Sequence, residues 1–235
     1  MTRTNLTVNV QTSPGIIENV GLIWEHLNVL PNVREHQARV AGIICVLRDN
    51  WKPNGIEVDW DDAIAAALMH DVGNIAKADL TTIFSQQLLG PLECERIDFW
   101  LQTQAELRAR FGNDEYKITC GLMRSISLPE RLITLITSAG FSNNQETLAS
   151  KDWERKLLAQ ADHCVGPFSV LTLHERLSEG AKRYGYPDSS SDMSSAVRAA
   201  YDLSAQVQQQ VSLPLDDITD ELVNPYVRRF LAREE

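Results

Sequence analysis

Ala63-Ile64-Ala65-Ala66-Ala67-Leu68-Met69-His70-Asp71-Val72-Gly73-Asn74 is a run of seven apolar residues that ends on a histidine, an aspartate and a glycine. A segment with no polar face must be buried, so it predicts a core helix. Asp59, Asp61 and Asp62, just ahead of it, suit the positive end of that helix's dipole. His70 and Asp71 are thereby delivered to the end of a buried element. An ionised carboxylate in such surroundings is costly unless it is paired, hydrogen-bonded or bound to a cation. The rest of the chain must supply the compensation.

Helical periodicity continues on both sides of this run. Ser13-Pro14 opens a helix with apolar residues at Ile16, Ile17, Val20, Ile23, Trp24 and Leu27. Pro31-Asn32 is expected to break it and cap a second helix, Val33 to about Asp49. After the core helix, 79–91 reads as loop with a possible short helix. Amphipathic helices follow over 92–111, with Ile97, Trp100, Leu101 and Leu107 inward, then over about 114–125 and 129–138, with a polar loop over 141–149. Asp152 opens a long helix to about Arg183, kinked at Gly166-Pro167. Tyr184–Ser191 has the composition of a linker, and two helices close the chain, about 193–211 and 217–233. Apart from weak alternation at Leu6, Val8 and Val10, strand signals are nearly absent. The fold class is all-α, with one unit over 1–184 and C-terminal helices over 185–235 packing on it.

The chain has 235 residues, is 43% hydrophobic and 23% charged, and carries a net charge of -10. Such a field disfavours nucleic-acid polymers and anionic membranes, while leaving a small anionic ligand accessible to a locally cationic pocket. The four cysteines, Cys45, Cys94, Cys120 and Cys164, are far apart and form no CxxC pair, so they read as buried thiols in a reducing compartment. The first eleven residues hold no apolar signal-peptide core, and no apolar run reaches the roughly 20 residues of a membrane helix. A cytoplasmic protein is expected.

Three polar residues stand at inward positions of helical stripes. His36 lies between Val33 and Val40, Asp71 follows Ile64, Ala67 and Leu68, and Asp162 lies between Leu158 and Val165. With His70 they make two acids and two imidazoles that one divalent cation would satisfy together. His26, His163 and His174 fit poorly: His163 points about 100° away from Asp162, and His174 is some 18 Å along a straight helix. Trp24 and Trp100 read as core. Arg34 and Lys77 are the cations nearest in sequence to these residues and are the candidate substrate-binding groups, with Lys117 and Arg124 weaker.

His36 within Val33-Arg34-Glu35-His36-Gln37-Ala38-Arg39-Val40-Ala41, the doublet His70-Asp71-Val72-Gly73, and Asp162 within Leu157-Leu158-Ala159-Gln160-Ala161-Asp162 resemble, in residues and spacing, the HD superfamily of metal-dependent phosphohydrolases. The resemblance covers the chain to about Arg183. It implies an orthogonal helical bundle with additional C-terminal helices, and one divalent ion (Mn, Fe, Co, Ni, Zn or Mg) held by His36, His70, Asp71 and Asp162. It also implies hydrolysis of a small phosphorylated metabolite, most plausibly a nucleotide, by a metal-activated water that Asp71 orients. Asp79 stands where small nucleotide phosphatases of the superfamily carry an acid, which makes it the candidate general acid. Asn74 replaces the lysine or glutamate that many members place after the doublet; it can hydrogen-bond water or phosphate but cannot titrate. No histidine lies between Asp71 and Asp162, which implies one metal rather than two. Two other readings stand beside hydrolysis: a catalytically silent module that binds a nucleotide or a protein partner, and a purely structural cluster. The C-terminal amphipathic helices are expected to close the pocket or to form a homodimer interface.

Overall fold

A computed structural model describes residues 8–53, 55–138, 140–184 and 195–232, and within them the chain is an all-α multi-helix bundle. The first apolar stripe forms two helices, α1 (Ser13–Glu18) and α2 (Val20–His26). Asn19, at φ −109° and ψ 15°, leaves the helical region and separates them, so the stripe is interrupted where the periodicity predicts one helix. Helix α3 (Pro31–Asp49) begins on Pro31 itself; the proline occupies the first turn, where no amide donor is needed, and Asn32 is inside the helix, not its cap. The apolar run is α4 (Trp60–Met69), capped by Asp59, whose side chain accepts from the Asp62 amide at 3.0 Å.

Next come α5 (Ile83–Leu89), α6 (Pro91–Cys94) and α7 (Ile97–Phe111), so the stripe over 92–111 is broken at residues 95 and 96. Trp100 and Leu107 are buried as expected, whereas Leu101 is 37% exposed. Helices α8 (Glu115–Ser125) and α9 (Glu130–Thr137) keep their expected places. Residues 141–149, expected as loop, form a 3-10 turn and helix α10 (Asn144–Ala149). Polar composition misleads here because Asn144 and Thr147 face inward and are fully buried.

The long helix expected from Asp152 is two helices, α11 (Trp153–Asp162) and α12 (Leu173–Tyr184). Around Gly166-Pro167 the chain reverses instead of bending, with Gly166 N donating to Ser169 O and Leu171 N to Cys164 O, both at 2.8 Å. Asp220 accepts from the Val170 amide at 3.2 Å and fixes this hairpin to the C-terminal region. Helices α13 (Ser195–Gln210) and α14 (Asp220–Leu231) complete the chain. Most of the proposed linker, and Leu6 of the proposed edge strand, lie outside the described residues; residues 8–12 form no strand.

Helix α4 is the axis of the bundle. Every residue from Ala63 to Met69 is at most 3% exposed, because α1, α3, α9 and α11 surround it. Four alanines let these neighbours approach closely. Helices α3, α4 and α11 also touch one another pairwise, so the three elements that bear His36, the His70-Asp71 doublet and Asp162 form a triangle. α14 packs along α3 so closely that a Cβ at Gly42 would sit 2.6 Å from Val223 Cγ1.

The ends of α4 and α11 are brought level by a clasp at their starts. Glu154 Oε1 accepts from the Asp59 amide at 2.6 Å, and Arg131 of α9 reaches Asp152 at 2.6 Å, Glu154 at 3.4 Å and Asp62 at 3.8 Å. Both helices are ten residues long, about 15 Å. Tied at one end and equal in length, they finish beside each other, at His70-Asp71 and Asp162.

Candidate metal centre

His36, His70 and Asp71 each present a donor atom, all within 4.8 Å of one another, and this group could hold a metal ion. His36 Nε2 lies 3.3 Å from His70 Nε2, and Asp71 Oδ2 lies 3.8 Å and 3.9 Å from the two nitrogens. Asp162 Oδ1 adds a fourth donor, 3.1 Å from His36 Nε2 and 3.5 Å from His70 Nε2. Ligand bonds of about 2.0–2.2 Å to one ion place adjacent donors about 2.9–3.5 Å apart. The His36, His70 and Asp162 separations match that spacing, whereas Asp71, which with the two histidines makes the group that could hold an ion, stands 3.8 and 3.9 Å from their nitrogens.

The tautomer of His70 also suits a ligand. Its Nδ1 donates to Ala67 O at 2.8 Å, which turns the Nε2 lone pair toward the other donors. Without an ion a proton takes that place. Burial pushes the His70 pKa down, but Asp71 and then Asp162 overcome it and raise it to about 9. Enclosure likewise raises Asp162, yet bonds from His36 and His70 prevail and hold its carboxyl well below the ordinary range. Two carboxylates beside two imidazoles demand positive charge, and a divalent ion supplies it more fully than protons do.

The doublet is held by its neighbours on the following turn. Asn74 Nδ2 donates to Asp71 Oδ2 at 2.8 Å. Gly73 lies so close to α8 that a Cβ there would sit 2.4 Å from Thr119 Oγ1 and 2.7 Å from both Glu115 O and Thr119 N. Two α7 side chains grip the next carbonyls: Gln104 donates to Ile75 O at 2.5 Å and Ala78 O at 2.8 Å, and Arg108 Nε donates to Ala76 O at 3.0 Å. Gln104 was legible as a polar residue between Trp100 and Leu107 on an inward stripe. Its role was not, because the partner is a loop distant in sequence.

The centre opens into a cavity of about 710 Å³. Its lining includes the four donors, Asn74, Lys77, Glu115, Tyr116 and Arg176. The other candidate residues are distributed unevenly around it. Lys77 lines the cavity, paired with Glu115 at 2.6 Å. Arg34 is not part of the lining: its guanidinium turns back to Val29 O at 2.8 Å and Trp24 O at 3.4 Å, bracing the α2–α3 corner. Asp79 is exposed and outside the lining. Thr81 bonds its Oδ1 through both hydroxyl, at 2.6 Å, and amide, at 3.1 Å, and these bonds lower its pKa, the wrong direction for an acid that must deliver a proton. Lys117 and Arg124 border a separate shallow cleft, and Arg124 is engaged by Glu130.

Arg176 is the cation that the sequence did not reveal. The hairpin at Gly166-Pro167 swings α12 back over the cavity, and Arg176 Nε donates to Val165 O at 2.9 Å. A continuous helix would have carried Arg176 about 20 Å from Asp162. His163 is buried and bonds nothing through either nitrogen, and His174 meets the Tyr201 hydroxyl at 3.2 Å; neither joins the centre. Trp24 and Trp100 are core residues.

No protein-family model, curated protein or solved structure matches this chain. No described helix is long and apolar enough to cross a membrane.

Proposed function

We propose that this chain is a metal-dependent phosphohydrolase of the HD superfamily, a phosphomonoesterase acting on a small phosphorylated metabolite such as a nucleotide. The observation that carries the proposal is the convergence of His36, His70 and Asp71, with donors within 4.8 Å of one another, and of Asp162, 3.1 and 3.5 Å from the two imidazoles, on the lining of a cavity of substrate size. A divalent ion held by these four groups supplies stabilisation of charge on a phosphoryl oxygen and a lowered pKa for attacking water. The remaining work falls to the chain's own side chains. Asn74 fixes the Asp71 carboxylate by donating to Oδ2, so a residue that cannot titrate still orients the acid that guides water. Lys77, paired with Glu115, and Arg176, paired with Glu179 at 3.0 Å, line the cavity and are the cations a phosphate would meet there. Four protein donors leave coordination positions for water and substrate oxygen.

The test is a phosphatase screen over nucleotides and sugar phosphates with Mn, Co, Ni or Mg added. Turnover that chelation removes and Asp71→Ala abolishes, with the helical spectrum retained, supports hydrolysis. A second reading, a binding module that does not turn its ligand over, is favoured by the position of Asp79, which leaves the leaving group without the expected acid. Binding of a nucleotide with no turnover under any metal selects it.

A further inference from the structure

The phosphohydrolase reading leaves one role unfilled, because Asp79, the acid expected to protonate the leaving group, lies outside the cavity. The lining offers few replacements. Lys77 and Glu115 engage each other at 2.6 Å. Arg176 is held by Val165 O at 2.9 Å and by Glu179 at 3.0 Å, and a guanidinium keeps its proton. Tyr116 is different. It lines the same cavity, is 40% exposed, and its hydroxyl makes no hydrogen bond among the described residues. Two neighbours fix its place. Tyr116 stands in the first turn of α8, and that turn's Glu115 carbonyl abuts Gly73, two residues beyond Asp71. Its hydroxyl occupies the space that a side chain at Gly140 would fill, and Gly140 lines the cavity too. Glu115, Lys77, Asp71 and Asp162 all act on the phenol electrostatically, and burial, then Glu115, raises its pKa. A phenol, with an unperturbed pKa of about 10, carries its proton at neutral pH and is a stronger acid than an aliphatic hydroxyl.

We propose that Tyr116 is the catalytic residue that protonates the leaving oxygen of the phosphate ester, in the role that Asp79 does not fill. The proposal rests on the phosphohydrolase reading. In the step, the water oxygen bonds to phosphorus, the bond from phosphorus to the ester oxygen breaks, and that oxygen takes the Tyr116 proton. The proton released by the water restores the phenol, so ester and water become alcohol and phosphate.

The experiment follows hydrolysis of adenosine monophosphate and phenyl phosphate by the full chain with Mn present, each beside its analogue with sulfur in place of the bridging oxygen. A thiolate leaves without a proton, so only the oxygen esters need the phenol. Tyr116→Phe is expected to lower kcat on the oxygen esters about 100-fold or more, and on the sulfur esters by less than about threefold. Gly140→Ala, which keeps the phenol but crowds its hydroxyl, is expected to show the same discrimination at smaller size. Calorimetric Mn titration is expected to give one affinity for the parent and Tyr116→Phe, with the helical spectrum retained. Equal losses on oxygen and sulfur esters make Tyr116 a phosphate contact and overturn the proposal. So does a Tyr116→Phe chain that keeps its rate on all four esters, or one whose Mn affinity falls with its rate. If the parent hydrolyses none of the four, the phosphohydrolase reading falls and the proposal falls with it; if the parent hydrolyses them and the variant shows no discrimination, the proposal falls alone.

Discussion

Gly73→Ala tests how the doublet is held. The glycine is at φ −89° and ψ 0°, a conformation open to alanine, so backbone preference costs little and the effect must come from packing. The added Cβ would lie 2.4 Å from Thr119 Oγ1 and 2.7 Å from Glu115 O and Thr119 N. Ordinary contact begins at 3.4 Å, so the turn and α8 must separate by about 0.7–1.0 Å. Overpacking of that kind costs about 1–3 kcal/mol. For a chain of this length, about 2 kcal/mol lowers the melting temperature by roughly 4–8 °C. Asp71 is only two residues away, and a displacement above about 0.5 Å is enough to spoil a ligand constellation. Affinity for Mn or Ni should therefore fall by about tenfold or more. Thermal denaturation and calorimetric metal titration check both effects. Adding Thr119→Ala removes the hydroxyl but not the two backbone contacts, so it should restore only part of the loss. A melting temperature within about 1 °C of the parent, with unchanged metal affinity, refutes the argument. Full rescue by Thr119→Ala shows that the side chain, not the helix backbone, sets the approach.

Other changes probe the centre and its supports. His36→Ala and Asp162→Ala should each abolish tight binding of one transition metal per chain, measured by elemental analysis after dialysis, while the helical spectrum persists. Asn74→Ala should lower metal affinity or turnover about 10–100-fold by releasing the Asp71 carboxylate, with little change in melting temperature. Asp152→Ala removes the α11 cap and the Arg131 pair and should cost about 1–2 kcal/mol. Burial raises the Asp152 pKa, but Arg131 and then neighbouring donors bring it down to about 2. A carboxylate depressed in the folded state stabilises fully above its unfolded pKa of about 3.9 and loses that contribution as pH falls toward 2. The stability difference between parent and Asp152→Ala should thus shrink from pH 5 to pH 2 in denaturant titrations. Native thiol labelling at neutral pH should modify Cys94 and Cys120 and spare Cys45 and Cys164, which are buried and pushed up to about 11 and 12 mainly by that burial.

What could be read in the sequence followed from local rules. The apolar run at Ala63–Met69, the acidic residues Asp59, Asp61 and Asp62 ahead of it and Asp152 at a helix start depend on neighbours within a few residues, and α4 and α11 begin where those signals lie. His36, Asp71 and Asp162 stood out because each is a polar residue on an apolar face, an energetic conflict visible without a structure. Candidates chosen by nearness in the sequence fared differently. Arg34 turns away from the cavity and Asp79 caps its own turn, because short-range backbone partners satisfied them first.

The sequence by itself therefore determined an all-α chain with three misplaced polar positions that needed one another. Only the tertiary structure decided how they meet. Equal helices clasped at Glu154 and Arg131 set the ends of α4 and α11 level, and a close approach at Gly73 with a grip from Gln104 aimed the doublet. A hairpin at Gly166-Pro167 brought in Arg176. Each of these joins residues far apart in the chain, and such contacts arise from packing, which no local periodicity encodes.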